Sequence, residues 1–110
     1  MNTVLQFGAA TLAAITAALT PLAASAARER VVVELFQSQG CSSCPAADAL
    51  LESYTKREDV IALSVPVDYW DRLGWKDTFA SRDHTRRQQD YASARGDGQV
   101  YTPQVVVSGT

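Results

Sequence analysis

The pattern of apolar and polar positions along the chain predicts alternating strands and helices. Two nearly continuous apolar runs, at residues 31–36 and 60–65, are typical of strands buried on both faces of a parallel sheet. Between them, apolar side chains of residues 47–54 recur at the i, i+3, i+4, i+7 spacing of one helix face. Pro45 fits only the first turn of a helix, so this helix should begin close to Cys41. A strand, a helix and a strand in this order predict a right-handed parallel crossover.

A second helix and a third strand are expected further along the chain. The helix should begin at Ser81 or Arg82, with Ser81 as its N-cap, and end at Arg95 before Gly96. Its thin apolar face comprises Ala80, His84, Tyr91, Ala92 and Ala94. Residues 100–107 predict the third strand, with a proline at the strand entrance, where a missing N–H does least harm.

Polar residues within and after these elements suggest where the chain meets solvent. Glu34 is the one charged residue of the first apolar run and is expected to face an edge or a loop. Residues 68–75 are too aromatic for a solvated loop and too irregular for a strand, which predicts an ordered loop at the carboxyl edge of the sheet. The charge clusters Lys76-Asp77 and Arg86-Arg87 are explained by solvated faces.

The amino-terminal part of the chain predicts export. Residues 1–26 carry no charged side chain, and the apolar stretch 7–24 ends in Ala24-Ser25-Ala26, which is typical of a cleaved signal peptide. A membrane anchor is the alternative, but three threonines and Pro21 interrupt the apolar stretch. We therefore expect residues 27–110 to form one secreted or periplasmic domain without a membrane partner.

Charge excludes some classes of partner. The chain has ten Lys and Arg residues against twelve Asp and Glu residues, and its net charge is −2. Proteins that bind nucleic acid display a basic stripe, and anionic membrane surfaces attract clusters of basic residues, neither of which this chain has. We therefore expect neither partner.

The segment Cys41-Ser42-Ser43-Cys44 carries the candidate chemistry. It holds the two cysteines of the chain and lies between a predicted strand and a predicted helix, which is typical of a thioredoxin-like redox motif. Free N–H groups and the dipole at a helix start favour a thiolate. We expect Cys41 to be the exposed nucleophile and Cys44 to resolve the mixed disulfide.

Two other roles for the cysteine pair remain open. An inert structural disulfide is one, although closing a four-residue loop removes little chain entropy. Metal binding is the other, but it needs further ligands, and His84, the sole histidine, belongs to a different element and is expected to be solvated or half-buried. We expect no metal and no cofactor.

The loop that follows the second strand supplies candidate substrate-binding residues. Asp68, Tyr69, Trp70, Asp71 and Trp75 should line the same crevice as the cysteines, because open α/β sheets bind ligands at the carboxyl ends of their strands. Either aspartate is a candidate to take the proton of the Cys44 thiol, and the aromatic side chains are candidates for a substrate wall. The alternative is that the tryptophans pack as core or lid while the aspartates cap turns.

Three separated segments resemble a known family. VVVELFQSQGCSSCPAADALL, VDYWDRLGWKDTFAS and VYTPQVVVSG are similar to the secreted thioredoxin-like family filed as domain-of-unknown-function family 1223, over about residues 31–109. The resemblance implies a thioredoxin-like fold in an exported bacterial protein. It also implies that Cys41 and Cys44 are the redox pair and that Pro103 is a cis-proline packed against them.

The resemblance also identifies a possible substrate edge and a difference from the family. The backbone of Tyr101 and Thr102 lies where thioredoxin-like proteins pair with an extended substrate, although ordinary strand entry explains these residues equally well. A thioredoxin core continues with an antiparallel edge strand and a final helix, whereas this sequence ends at Thr110. We therefore expect an incomplete domain with an open apolar edge at residues 105–107, and marginal stability or aggregation.

Together these observations predict an exported α/β protein that exchanges disulfides with a protein or a small-molecule thiol. If active, it would be a thiol–disulfide oxidoreductase. A non-catalytic binding module with a structural disulfide and, less favoured, a metal-binding chaperone are the alternatives.

Overall fold

The structure, a computed structural model, describes Gly8 and residues 29–110. The predicted signal peptide, residues 1–26, lies outside the described residues except for Gly8. No helix in the described part of the chain is long and apolar enough to cross a membrane.

The described residues form a mixed α/β fold. Its main elements are β1 (Val31–Gln37), α1 (Cys44–Tyr54), β2 (Val60–Pro66), α2 (Arg82–Arg95) and β3 (Gln104–Val107). The strand order is β2-β1-β3, with β2 parallel and β3 antiparallel to the central strand β1. The predicted α/β class, with a strand–helix–strand unit followed by a second helix and a third strand, is confirmed.

The strand register places two apolar clusters on opposite faces of the sheet. On one face, Val33 and Leu35 of β1 pack with Leu51 of α1. On the other face, Phe36 packs with residues from the carboxyl end of β2 and with Val106 of β3. Because side chains alternate along β1, one strand serves both clusters.

The prediction that β2 is buried on both faces is wrong. Among the described strands it lies at one edge of the sheet. Ile61 and Leu63 are 38% and 42% exposed, because the second apolar cluster contacts β2 only near its carboxyl end, at Val65. The apolar run alone therefore did not show which residues of this strand pack against other side chains.

The expected position of Glu34 is also wrong. This residue lies in the central strand and is 1% exposed. Its carboxylate accepts hydrogen bonds from Arg87 Nε and from the Tyr91 hydroxyl, both at 2.5 Å. Arg87 is thus more than part of a solvated charge cluster, because its guanidinium compensates the buried charge of a strand.

The second helix has the predicted ends but a different buried face. Ser81 Oγ accepts a hydrogen bond from Asp83 N at 3.1 Å, and Gly96 ends the helix with a φ of 84°. The buried residues of the helix are Thr85, Gln88 and Ala92. Polar side chains therefore replace much of the predicted thin apolar face. His84 is half-buried, with Nδ1 2.7 Å from the Pro66 carbonyl oxygen.

Two element boundaries differ from the sequence-based expectation. The third strand begins at Gln104 rather than at residue 100, directly after Pro103. The first helix begins at Cys44, with Pro45 in its first turn. Cys44, rather than Cys41, is therefore the first residue of this helix.

Candidate functional site

The two cysteines form a disulfide at the junction between β1 and α1. Cys41 and Cys44 are bonded to each other, with their Cα atoms 5.4 Å apart. Cys41 is 4% exposed and Cys44 0%, so the expectation that Cys41 is an exposed nucleophile is wrong, although it is the more accessible of the two. The loop closes because Cys41 N donates to the Ser38 carbonyl and Cys44 N donates to the Cys41 carbonyl, at 3.1 and 3.2 Å.

The start of α1 offers a favourable place for a thiolate. Ser43 occupies the N-cap but makes no side-chain hydrogen bond to the first turn, and no acidic residue lies in that turn. The first-turn N–H groups therefore have no side-chain cap, and the positive end of the helix dipole faces no carboxylate of the first turn. When the disulfide opens, a thiolate at this position is stabilised relative to the thiol.

The loop that leads to Cys41 is held by a buried carboxylate. Asp77 is 2% exposed, and its Oδ2 accepts a hydrogen bond from Gln39 N at 3.0 Å. Its Oδ1 accepts from Phe79 N at 2.8 Å. The expectation that Lys76-Asp77 is a solvated charge cluster is therefore wrong for Asp77, which ties the loop before Cys41 to the loop after β2.

The two tryptophans of the candidate wall each hydrogen-bond to a different segment. Trp70 Nε1 donates to Thr102 Oγ1 at 2.7 Å, and Trp75 Nε1 donates to Gln39 Oε1 at 3.1 Å. Trp70 also lies close to Gly40, where a Cβ atom would approach Trp70 Cβ to 3.3 Å. These contacts bring the disulfide loop, the aromatic loop and the residue before Pro103 together.

The segment before β3 has the conformation that the resemblance implies. The Thr102–Pro103 peptide bond is cis. The Tyr101 carbonyl accepts a hydrogen bond from Gln88 Nε2 at 2.8 Å, and the Tyr101 side chain is largely exposed. Gln88 itself is completely buried and also donates to Gln104 Oε1. A polar side chain of α2 thus fixes the backbone of the candidate substrate edge.

The two aspartates chosen from sequence have partners on α2 and in the loop after β2. The carboxylate of Asp68 accepts a hydrogen bond from Thr85 Oγ1 at 2.6 Å and lies 3.6 Å from Arg82 Nε. Asp71 Oδ1 accepts from Asp77 N at 3.1 Å. Each carboxylate therefore has a structural contact, and their proposed role in proton transfer stays a prediction.

Asp48 is a further carboxylate near the disulfide that sequence analysis missed. It follows Cys44 by four residues on α1 and therefore lies on the same side of the helix. Burial raises the pKa of the Asp48 carboxyl, and the negative charge of Asp77 raises it further. The i, i+4 spacing from the second cysteine was a signal that could have identified it.

Tyr69 is half-buried and contacts α2. Its hydroxyl donates to Gln88 Oε1 at 3.0 Å. Burial raises the pKa of Tyr69. The phenol of Tyr69 is therefore uncharged at neutral pH. In the described part of the chain, no group of three or more His, Cys, Asp or Glu side chains is placed to hold a metal ion.

Comparisons with known proteins agree with the motifs in the sequence. The family model described as "Protein of unknown function (DUF1223)" matches residues 32–110. An X-ray crystal structure of a protein from Agrobacterium tumefaciens, a structural genomics target, is similar to this chain with 51% sequence identity and a TM-score of 0.68. The match covers 74% of this chain and 37% of the Agrobacterium chain, so this chain spans well under half of that protein's length. No curated protein matches the chain.

Proposed function

The chain belongs to the DUF1223 family of proteins of unknown function, and we propose that it is an exported thiol–disulfide exchange protein. The observation that carries this proposal is the Cys41–Cys44 disulfide at the uncapped start of α1. A disulfide within four residues contributes little chain-entropy stabilisation, so a purely structural bridge is poorly explained at this position.

The proposed reaction proceeds in two exchange steps. The Cys41 thiolate attacks one sulfur of a substrate disulfide, the substrate S–S bond breaks, and one substrate thiolate leaves and takes up a proton. The Cys44 thiolate then attacks Cys41 Sγ, which forms the protein disulfide and releases the second substrate thiolate. The same steps run in reverse when the protein donates its disulfide to a dithiol.

The surroundings of the disulfide suit these steps. The first-turn N–H groups of α1 favour the thiolate that attacks or leaves. Asp48, with its raised pKa, is the carboxyl that we assign to proton exchange with Cys44. The backbone around Tyr101 and the side chain of Trp70 form the edge and the wall for an extended substrate.

A trapping experiment tests the proposal. In Cys44→Ser the mixed disulfide through Cys41 cannot be resolved, so defined covalent adducts should accumulate in cells that export the protein. The control is Cys41→Ser, which should form far fewer adducts because its remaining thiol is completely buried. Adducts that are equally frequent in both variants, or absent from both, would contradict the proposal.

One observation favours a second candidate, a binding module whose disulfide only orders the crevice. Both cysteines are buried, so a substrate must displace the loop around them to reach Cys41. This candidate predicts that Cys41→Ser/Cys44→Ser keeps its partner. The exchange proposal predicts that reduction of the wild-type disulfide by dithiothreitol is complete within seconds under native conditions, which a buried structural bridge would resist.

Export is part of the proposal and has its own test. We propose cleavage after Ala26, which follows from the Ala24-Ser25-Ala26 end of the apolar stretch. Mass spectrometry of the protein recovered from exporting bacteria should find Ala27 at the amino terminus. A protein that keeps residues 1–26 and fractionates with membranes would support the anchor instead.

A further inference from the structure

The loop between β2 and α2 displays apolar side chains at the protein surface. Among the described residues, the three most exposed large apolar side chains are Leu73, Phe79 and Trp75, at 74%, 73% and 60%. All three fall within residues 73–79, and we call them the loop patch. Clustered exposed apolar side chains are typical of interaction sites rather than of a free surface.

Two members of the loop patch lie on either side of Gln39, two residues before Cys41. Trp75 Nε1 donates a hydrogen bond to Gln39 Oε1 at 3.1 Å. Phe79 N and Gln39 N donate to the two oxygens of one buried carboxylate, that of Asp77, at 2.8 and 3.0 Å. Gln39 is therefore held by the loop patch through both its side chain and its backbone.

The third member, Leu73, is placed beside the same segment through Trp70. Leu73 N donates to the Trp70 carbonyl at 3.0 Å. A Cβ atom at Gly40, the residue before Cys41, would lie 3.8 Å from that carbonyl oxygen. Trp70 also donates to Thr102 Oγ1, so it links the loop patch to the candidate substrate edge.

The charges that this loop leaves unpaired are positive. Asp71 and Asp77 are the carboxylates of residues 71–80, and both accept hydrogen bonds from backbone N–H groups. Arg72 and Lys76 are exposed, and in the described part of the chain neither forms an ion pair with a carboxylate. A partner that complements the loop patch therefore carries apolar side chains together with acidic ones.

The burial of the disulfide distinguishes between classes of partner. Cys41 is 4% exposed, so the loop before it must move before another sulfur reaches it. A ligand favours such an opening only through contacts that it makes in the open state. Gln39 and Cys41 are two residues apart, which limits the distance between their Cα atoms to about 7 Å, a span that two residues of an extended peptide also cover. A polypeptide can thus contact the loop patch and Cys41 together, whereas a small thiol covers far less of this surface.

We infer that the loop patch docks an extended segment of a substrate polypeptide, in which apolar and acidic side chains lie close to the reacting cysteine. This inference rests on the proposed function and deepens it, because it selects polypeptides over small thiols as substrates. Trp75 and Phe79 contact the apolar side chains of the segment, and Lys76 pairs with its acidic residue.

Docking is tested first with a probe that cannot react. The probe is a short peptide with a serine in place of cysteine, flanked by leucine, phenylalanine and glutamate, and isothermal titration calorimetry measures its affinity for the oxidised protein. In Leu73→Ser/Phe79→Ser we expect about tenfold weaker binding, because two apolar anchors are lost. The matched control is Leu50→Ser/Leu63→Ser, which removes exposed leucines of α1 and β2 and should bind the probe like the wild type. Equal weakening in both variants, or no binding by the wild type, would overturn the inference.

A second arm tests the charge of the substrate. Lys76→Gln should weaken binding of the probe about threefold, the usual effect of losing one exposed ion pair, and should leave binding of a probe with glutamine in place of glutamate unchanged. Lys56→Gln, which removes an exposed lysine outside the loop, is the control and should change neither affinity. Equal weakening of both probes by Lys76→Gln would contradict the acidic part of the inference.

Sedimentation velocity tests a second copy of this chain as the occupant. The inference requires that Leu73→Ser/Phe79→Ser and the wild type associate to the same extent. A variant that loses self-association and keeps its affinity for the probe would assign the loop patch to a contact between copies, and the inference would be wrong.

A kinetic arm distinguishes failure of this inference from failure of the proposed function. Rates of reduction of the oxidised protein are compared for dithiothreitol and for a form of the probe with two cysteines, whose thiols form a disulfide as the protein disulfide becomes two thiols. We expect Leu73→Ser/Phe79→Ser to lower the second-order rate constant for the peptide about tenfold and to leave that for dithiothreitol unchanged. Equal peptide rates in variant and wild type would contradict the inference but keep the exchange function. A wild type that reacts with neither thiol, yet binds the serine probe through the loop patch, would contradict the exchange function and keep the docking surface.

Discussion

Glu34 is a buried carboxylate in the middle of an apolar strand. Hydrogen bonds from two residues of α2 offset the free-energy cost of burying its charge. The Arg87 guanidinium and the Tyr91 hydroxyl both donate to it, which links the central strand to the helix through charge-assisted hydrogen bonds. The ring of Tyr91 also lies under the Arg87 guanidinium and edge-on to Phe36. The hydrogen bond to Glu34 raises the pKa of Tyr91, because it stabilises the protonated phenol beside a negative charge.

We predict that Glu34→Gln lowers the free energy of unfolding by about 1–3 kcal/mol, the usual cost of weakening a hydrogen bond to a charged group. The pKa of Tyr91 should fall towards that of an ordinary tyrosine. Urea denaturation and ultraviolet titration of the tyrosines measure these two effects. The control is Arg57→Gln, which breaks a solvent-exposed ion pair with Asp59 and should lower the free energy of unfolding much less than Glu34→Gln. Equal losses of unfolding free energy in both variants would contradict the prediction, because the buried Glu34 carboxylate would then contribute no more than an exposed ion pair.

The raised pKa of Asp48 predicts how stability depends on pH. Between the ordinary pKa of 3.8 and the raised value, the folded protein holds this proton while the unfolded chain has released it. Stability is therefore highest below pH 3.8 with respect to this group and falls as the pH rises through the raised pKa. Burial is the main cause and the charge of Asp77 the second.

Asp48→Asn should accordingly stabilise the protein at neutral pH, because a neutral amide avoids both the burial cost and the repulsion. The gain in the free energy of unfolding should shrink as the pH falls and vanish below the pKa of 3.8 that an aspartate has in the unfolded chain. Urea denaturation at a series of pH values measures the difference between variant and wild type. A difference that does not change with pH, or a loss of stability at neutral pH, would contradict the assigned causes. In the reduced protein, the same variant should slow exchange if Asp48 moves the proton of Cys44.

At the scale of elements, α2 positions the segment before the third strand through Gln88. This side chain donates to the Tyr101 carbonyl and to Gln104, and accepts from the Tyr69 hydroxyl. One completely buried amide therefore connects the helix, the aromatic loop and the edge beside the cis-proline. Its hydrogen bonds replace the apolar contacts that a thin helix face does not supply.

We predict that Gln88→Leu destabilises the fold by about 2–3 kcal/mol despite the similar size of leucine, since three polar groups lose a buried partner. It should also slow disulfide exchange with an extended peptide substrate more than exchange with dithiothreitol, because the Tyr101 backbone is no longer fixed. Denaturation and stopped-flow kinetics measure the two effects. Gln88→Glu keeps the oxygen that accepts from Tyr69 but loses the two donated hydrogen bonds, so it should also destabilise the fold. Gln89→Leu, which changes an exposed neighbour on the same helix, is the control and should not cost more than Gln88→Glu.

The elements that could be predicted from sequence are those with local signals. The cap at Ser81, the stop at Gly96 and the spacing of residues 47–54 all act within a few residues, and the structure confirms them. The burial of Glu34 could not be predicted, because its partner Arg87 is 53 residues away. Asp77 was assigned to solvent for the same reason, since its partner Gln39 lies on another element.

The candidate site divides in the same way. The cysteine motif and the proline were visible as short patterns, and the disulfide and the cis peptide bond follow them. The polar cavity lined by Arg72 and Arg86 was not visible, because these two residues come together only when the loop after β2 folds against α2. The roles assigned to the aromatic loop from sequence stay predictions.

At the scale of the whole molecule, the two faces of the sheet are covered unequally. The face that carries α1 retains an apolar groove of about 330 Å³, lined among others by Val31, Leu50, Val105 and Val107. These four side chains are between 40% and 56% exposed. Contiguous exposed apolar surface of this kind is uncommon on soluble monomers and favours association.

We predict that the purified chain associates through this groove and binds a hydrophobic dye such as anilinonaphthalene sulfonate. Val105→Thr/Val107→Thr should reduce both effects, because threonine keeps the β-branched shape that suits a strand but replaces a methyl group with a hydroxyl. Val105→Ile/Val107→Ile is the matched control and should increase association, since it keeps the strand preference and adds apolar area. Sedimentation velocity across a concentration series and dye fluorescence measure the effect. A wild-type chain that is a monomer at all concentrations, binds no dye and melts in one cooperative transition would contradict the prediction.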